Sequence, residues 1–377
     1  MNEKIKNAAL EKAKTEAGPF YIYDSDAIRL KCREFMNIPW QNKLITFASM
    51  ANATPEFLKI VQSEGLGIFI NSLGHMKIAE DCGFSVEKMV YTSSGMPENM
   101  MAEVGKKNLF INLDSPGQLK QWREIFPGSK TGIRCNIGDS VNPKKTRGGY
   151  FLGSKSRLGF TVEEIERLEG DKQISGLHLY LGTDILDIDY YRDCYEEIVR
   201  LSDLFPELEY LDFGGGFAVE SPGGEKFDLT AYGKTVSELM ETVSRRRRKD
   251  VLMILEPGRI IGGENAWFVV SVTDVKIRGE EQYVGVNAST AQFTRPLMYP
   301  DDAYHPVSWI SEPQNGSEKL TTHIFGCSTY SRDFFAKDQL MQVAQKGDLI
   351  AFGHAGSYCA SSYTTFLGFE KAKEFFI

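Results

Sequence analysis

Two short segments carry residue types suited to holding an anion and a ring nitrogen. In Asp212-Phe213-Gly214-Gly215-Gly216-Phe217, three successive glycines leave backbone N–H groups bare and free to point at an anion. In Glu256-Pro257-Gly258-Arg259, an acid and a base stand three positions apart on a tight turn. An arginine there suits a phosphate, and a carboxylate suits a protonated ring nitrogen. Glycines also merely turn chains, so the weight of these segments depends on the elements that present them.

Those elements read as alternating strands and helices. Strand-like runs are expected at Leu44–Ser49, Gly67–Ile70, Met89–Ser93, Leu109–Leu113, Lys130–Asn136, Ile174–Gly182, Glu209–Gly214 and Val251–Glu256. Helical periodicity fills the intervals at Thr54–Gly65, Leu73–Gly83, Pro97–Lys107, Gly117–Phe126, Leu186–Phe205 and Leu229–Arg247. Eight such strands with helical crossovers are what a (β/α)8 TIM barrel needs; an open doubly wound sheet is the alternative and usually has fewer strands. In the barrel, the site lies at the C-terminal strand ends, and a phosphate commonly sits after strands seven and eight. The glycine run and the Glu-Pro-Gly-Arg turn fall at those two places. After Arg259 the texture changes to antiparallel-type alternation at Ala266–Ile277, Gln282–Asn287, Leu320–Gly326, Asp348–Phe352 and parts of Ser357–Phe369, with a helix expected over Asp333–Val343. The expected organisation is a barrel over 25–260 and a β domain built from 1–24 and 261–377.

Composition narrows the function classes. Across 377 residues, 42% are hydrophobic and 25% charged, which is ordinary globular usage. The net charge of −8 speaks against a nucleic-acid binder, and the run Arg245-Arg246-Arg247-Arg248-Lys249 reads as a solvated helix end. No apolar run approaches a membrane span, and Met1-Asn2-Glu3-Lys4-Ile5-Lys6 lacks the apolar core of a signal peptide. Six cysteines are scattered without CxxC pairing, and five histidines form no HExxH pattern, so a cytoplasmic protein with reduced thiols and no metal site is expected.

The ordered motifs resemble the fold-type III pyridoxal-phosphate decarboxylases, the group of ornithine and diaminopimelate decarboxylases, whose fold is alanine racemase-like. The likeness runs from about Pro19 to Phe369 through Pro19-Phe20-Tyr21-Ile22-Tyr23-Asp24, Ser156-Arg157-Leu158-Gly159, the two segments above, Arg295-Pro296-Leu297-Met298-Tyr299 and Gly356-Ser357-Tyr358. The resemblance implies that Gly214, Gly215, Gly216, Gly258, Arg259 and Tyr358 hold the phosphate of pyridoxal 5'-phosphate. It also implies that Glu256 pairs with the pyridine nitrogen, and that Arg295, Tyr299 and Asp333 face the substrate. A homodimer with a shared active site, acting on a small molecule, comes with it.

The same resemblance exposes departures. The family's Tyr-Ala-x-Lys-Ala-Asn segment, which carries the Schiff-base lysine, reads Phe47-Ala48-Ser49-Met50-Ala51-Asn52 here. That lysine's amine is the covalent anchor and the exchange partner for a substrate amine, and the Met50 thioether does neither. The cofactor-stacking histidine is replaced by Tyr180, with His178 two residues earlier as a packed neighbour. In the late loop the catalytic cysteine becomes Thr329 and the acid that reads a distal amine becomes Tyr330, while the acids after strand two appear as Phe69 and His75. The expectation is a divergent enzyme acting on a small amino- or carboxyl-bearing substrate, with the phosphate cradle kept and any cofactor held noncovalently. Two alternatives stay open: a non-catalytic regulatory or partner subunit, and an ordinary decarboxylase carrying an engineered lysine-to-Met50 change.

Overall fold

A computed structural model describes residues 1–146, 149–300, 302–311 and 318–377. The chain divides into two compact units: one comprises residues 29–219 and 225–260, the other residues 1–28, 220–224 and 261–377.

The first unit is a closed parallel barrel. Its strands are Lys43–Ala48, Gly67–Ile70, Met89–Ser93, Phe110–Leu113, Thr131–Asn136, Ile174–His178, Tyr210–Asp212 and Leu252–Leu255. Each pairs with the next, and the last returns to the first through Met253↔Lys43, Ile254↔Leu44 and Leu255↔Ile45. Helices form the crossovers, and their ends follow local chemistry. Ser72 and Ser115 cap by accepting from His75 N–H and Gln118 N–H, and Asp187 and Asp228 do the same for Tyr190 and Ala231. The apolar faces then pack on the barrel: Phe57, Leu58, Ile60 and Val61 of Pro55–Ser63 are all buried.

Tyr210 packs with Val90 and Ile254 in one core cluster, its ring lying where two glycines leave room. Tyr210 is buried, and its hydroxyl donates to Asn112 Oδ1 at 2.8 Å. A Cβ on Gly132 would stand 2.1 Å from the Tyr210 hydroxyl, and one on Gly176 would stand 1.9 Å from its ring. Both strands therefore need glycine where the ring crosses them.

The second unit is built on an eight-stranded sheet. Val307–Trp309, Leu349–Phe352, Ala266–Arg278, Glu281–Val286, Lys319–Phe325 and Phe334–Gln342 follow one another, while Phe20–Tyr23 pairs with Ala266–Arg278 and with Lys373–Phe376. Pairing is mostly antiparallel, with Glu281–Val286 parallel to Lys319–Phe325. Ile5, Ala9, Phe20, Ile22, Val269, Ile310 and Ala351 form one core of this unit.

Two expected elements differ. Asp333–Val343 is a strand (Phe334–Gln342), not a helix. Its apolar residues fall in pairs separated by polar ones, which mimics a helical face. Lys319–Phe325 supplies a ladder of hydrogen bonds, and Asp338 sits at φ 55°, a value no helix interior accepts. In Ser357–Phe369 the only regular element is a short 3₁₀ turn at Ala360–Ser362, and the late strand lies further on at Lys373–Phe376.

Candidate active site

Three buried ionisable side chains converge at the C-terminal ends of barrel strands six, seven and eight. His178, Asp212 and Glu256 each offer a ligand-type atom within 4.8 Å of the others. Glu256 Oε2 lies 3.6 Å from His178 Nε2, and Glu256 Oε1 has no hydrogen-bond partner among the described residues. Asp212 is better served: Gly214 N–H donates to Oδ1 at 3.0 Å and Asn112 Nδ2 to Oδ2 at 3.3 Å. Phe69, where the resemblance leads one to expect an acid, stacks on His178 with ring centres 6.4 Å apart at 10°.

Burial sets the protonation of this cluster. It pushes the Glu256 carboxyl up to about 8, although the bond to Asp212 and the charge of Arg134 pull the other way. Burial and the neighbouring Glu256 charge hold Asp212 well above the ordinary range. His178 is pushed down to about 4 by burial, with Asp212 opposing. At neutral pH Glu256 therefore retains its proton and the imidazole is neutral.

Beside the cluster lies a glycine cradle. Gly214 and Gly216 have φ of 65° and 96°, which glycine adopts without strain. Added Cβ atoms at Gly214, Gly215 and Gly216 would meet the carbonyl oxygens of Leu179, Glu256 and Gly182 at 2.2, 2.4 and 2.6 Å. Gly258 plays a packing part, since its Cβ would stand 3.0 Å from that of Ala48. Arg259 is buried and donates its Nε–H to Asp184 Oδ1 at 2.8 Å, while Nη1 and Nη2 have no partner among the described residues. A buried guanidinium with two unused donor groups is a receptor for an oxyanion.

Tyr180 is held by its surroundings. Its hydroxyl and that of Thr183 are 3.0 Å apart, Phe151 meets it edge-on at 5.1 Å, and the Arg134 guanidinium lies 5.8 Å from its ring. Strand six ends at His178, so Tyr180 lies two residues beyond the regular strand. His178, expected to be a packed neighbour, is a member of the ionisable cluster. Met50 lies in the turn after strand one and is partly exposed.

The remaining candidates belong to the β unit. His305 Nδ1–H donates to Gly353 C=O at 2.8 Å, so its Nε2 faces Arg295 Nη1, at 3.5 Å, with a lone pair. The Arg295 guanidinium lies 6.0 Å from the Tyr299 ring. Asp333 is buried and saturated: Oδ1 accepts from Ser289 Oγ, Thr290 N and Thr290 Oγ1 at 3.2, 2.7 and 2.7 Å, and Oδ2 accepts from Ser328 Oγ. It organises its own loop. Thr329 is exposed, and Tyr330 packs edge-on against Phe366 at 5.4 Å. Tyr358 is a non-glycine residue at φ 57°.

Sequence reasoning missed Asp184, Arg134 and the pair formed by Ser49 and His75. Asp212 was visible as the acid directly ahead of the glycines but was given no role. Asp184 carried no signal, because a partner 75 residues away in the chain is set by the fold.

The residues present fit pyridoxal phosphate in two of three respects. Glu256 offers an unpaired buried carboxyl oxygen for a ring nitrogen, and Arg259 with the glycine cradle offers donors for a phosphate. The covalent anchor is the misfit, since Met50 has no amine.

Comparisons with known proteins point to one family. The family described as pyridoxal-dependent decarboxylase, pyridoxal binding domain, matches residues 26–263. Diaminopimelate decarboxylase of Aquifex aeolicus is 28% identical over 365 residues, covering 92% of this chain and 84% of that protein. The enzyme of Methanothermobacter thermautotrophicus is 27% identical, covering 94% of this chain and 85% of its own length. Among solved structures, Helicobacter pylori diaminopimelate decarboxylase complexed with L-lysine superposes with a TM-score of 0.85 at 23% identity, over 97% of this chain and 93% of that one. The fold is thus the alanine racemase-like barrel plus β domain.

Proposed function

Because the chain belongs to the pyridoxal-dependent decarboxylase family, whose cofactor is pyridoxal 5'-phosphate, we propose that it is a divergent member that binds this cofactor noncovalently and acts on a small amino- or carboxyl-bearing molecule. The observation that carries the reading is Arg259, buried and anchored by Asp184 yet with two donor nitrogens unused. When bound, the cofactor supplies an electron sink for charge developing on an adjoining substrate atom.

This chain's residues would supply the rest. Arg259 and the amides of Gly214, Gly215 and Gly216 bind the phosphate, with Gly258 in support. Glu256 pairs with the ring nitrogen through its open Oε1 and holds a proton there. Phe69 and His178 exclude water from that proton. Tyr180 offers a ring face where the family has an imidazole. Arg295 and Tyr299 take a substrate carboxylate, and Thr329 and Tyr330 line a pocket with less acidic character. The relatives named above act on diaminopimelate, but Tyr330 in place of an acid argues against a distal free amine on this chain's substrate. A homodimer sharing its active sites completes the proposal.

The test is a titration of the purified chain with pyridoxal phosphate, followed by absorbance, borohydride reduction and intact mass. Saturable binding without a mass increase is the expected result. No binding would overturn the reading and favour a non-catalytic partner subunit, for which Met50 is the supporting observation.

A further inference from the structure

Ser49 and His75 meet at the mouth of the barrel. Ser49 directly follows strand one, is buried, and is fixed by its N–H donating to Phe69 C=O at 3.0 Å. His75 lies in the first turn of helix Leu73–Asp81, where its own N–H donates to the Ser72 cap at 3.2 Å. Ser49 Oγ and His75 Nδ1 are 2.9 Å apart. Ser49 is the chain neighbour of Met50, so this pair stands beside the place where the family's amine is missing.

We propose that His75 is the proton-transfer residue of this site and that Ser49 is its positioning partner. The proposal rests on the function argued above and deepens it. In a (β/α)8 barrel the reacting groups come from the C-terminal ends of several strands, and this pair joins the ends of strands one and two. A hydroxyl both donates and accepts. Nδ1 is therefore satisfied in both ring states that matter: in the neutral tautomer whose Nε2 is bare, Nδ1–H donates to Ser49 Oγ, and the same bond persists once Nε2 takes a proton. A carboxylate in Ser49's place would favour the cation alone.

Other features agree. Partial burial lowers the proton affinity of His75, with no charged neighbour contributing, which keeps the ring neutral and basic at pH 7. Of the five histidines only His75 and His178 lie in the barrel unit, and His178 is sealed at 1% exposure while His75 is partly exposed. With Nδ1 engaged, Nε2 is the atom left to exchange protons. It accepts one from an acidic C–H or N–H of the substrate, the bonding pair stays on the substrate, and the proton returns to the product.

The experiment has two arms. In the first, diethyl pyrocarbonate modifies the intact chain without cofactor, and peptide masses give a rate for each histidine. His75 should react several-fold faster than His178 and His305. Ser49→Ala should slow it several-fold, and Ser49→Thr should restore the rate. A His75 as inert as His178, or a rate indifferent to Ser49→Ala, overturns the proposal. In the second arm the chain is loaded with pyridoxal phosphate, and loss of the α-proton of L-alanine into D2O is followed by NMR. His75→Asn keeps an amide able to bond Ser49 but has no titrating nitrogen; it should bind the cofactor as wild type does and lose about 10²-fold or more of the exchange rate. Undiminished exchange overturns the assignment. If the wild-type chain binds no cofactor, it is the cofactor reading that fails, and the first arm alone decides the pair.

Discussion

Arg259 gives its Nε–H to Asp184 Oδ1 at 2.8 Å, and Asp184 holds that position from a left-handed backbone at φ 55°. A strained residue thus fixes the stem of the guanidinium while its fork stays unspent.

The fork should matter more than the charge. Arg259→Ala should weaken pyridoxal-phosphate binding about 100-fold or more, the worth of two charged hydrogen bonds. Arg259→Lys should fall between the two, because an ammonium keeps the charge but lacks the planar pair of donors. The rise in melting temperature on adding the cofactor measures all three proteins on one scale.

The buried cluster predicts a pH effect in the cofactor-free protein. Glu256 keeps its proton to about pH 8 in the fold against 4.5 for an ordinary carboxyl, so the folded state binds more protons over that window and stability falls as pH rises. His178, lowered to about 4 from 6.5, acts in the opposite sense between those values. The two effects offset one another up to pH 6.5, and above it Glu256 remains, with the raised Asp212 acting in the same direction. Stability should drop by about 2 kcal/mol between pH 6.5 and 8, at 1.36 kcal/mol per unit, and Glu256→Gln should flatten the profile. Urea denaturation at the two pH values reads this directly.

Gly215→Ala tests the cradle. Its Cβ would lie 2.4 Å from the Glu256 carbonyl oxygen, so strands seven and eight must part. The expected cost is about 1–3 kcal/mol, measured by denaturation, with loss of phosphate affinity beyond what stability explains.

Met50→Lys should restore a covalent anchor. Incubation with pyridoxal phosphate and borohydride should add one cofactor mass to a peptide containing residue 50, and the wild-type peptide should gain none. An unmodified variant that still binds the cofactor would show that residue 50 does not face it.

Asp333→Ala should act on stability first. It strands the donors of Ser289, Thr290 and Ser328, at a cost of about 3 kcal/mol or more. A loss of activity in a variant of unchanged stability would instead assign Asp333 to the substrate.

Much of the barrel was legible because its signals are local. Helix Leu229–Arg247 has the expected bounds, and strand Lys43–Ala48 differs from Leu44–Ser49 by one residue at each end. The glycine cradle was legible for the same reason, since bare amides and positive φ belong to the residues themselves. What failed was set by distant partners. The chain at 334–342 became a strand because Lys319–Phe325 lay ready to pair with it. His178 became part of a site only when Glu256 and Phe69 arrived beside it. Ser49 and His75, 26 residues apart, gave no motif, because two loops bring them together.

Tyr210, Gly132 and Gly176 have a consequence for how this chain tolerates sequence change. Any side chain at either glycine collides with the ring, and a smaller residue at 210 would leave a cavity against Val90 and Ile254. The positions are therefore locked to different degrees: single exchanges at 132 or 176 are closed, and shrinking 210 opens 176, whereas a side chain at 132 still meets Asn112 Oδ1 at 2.3 Å. In a library randomised at all three, survivors should keep glycine at 132 and pair 176 with 210 in combinations of constant summed volume, the fitness of each of those two alleles depending on the other.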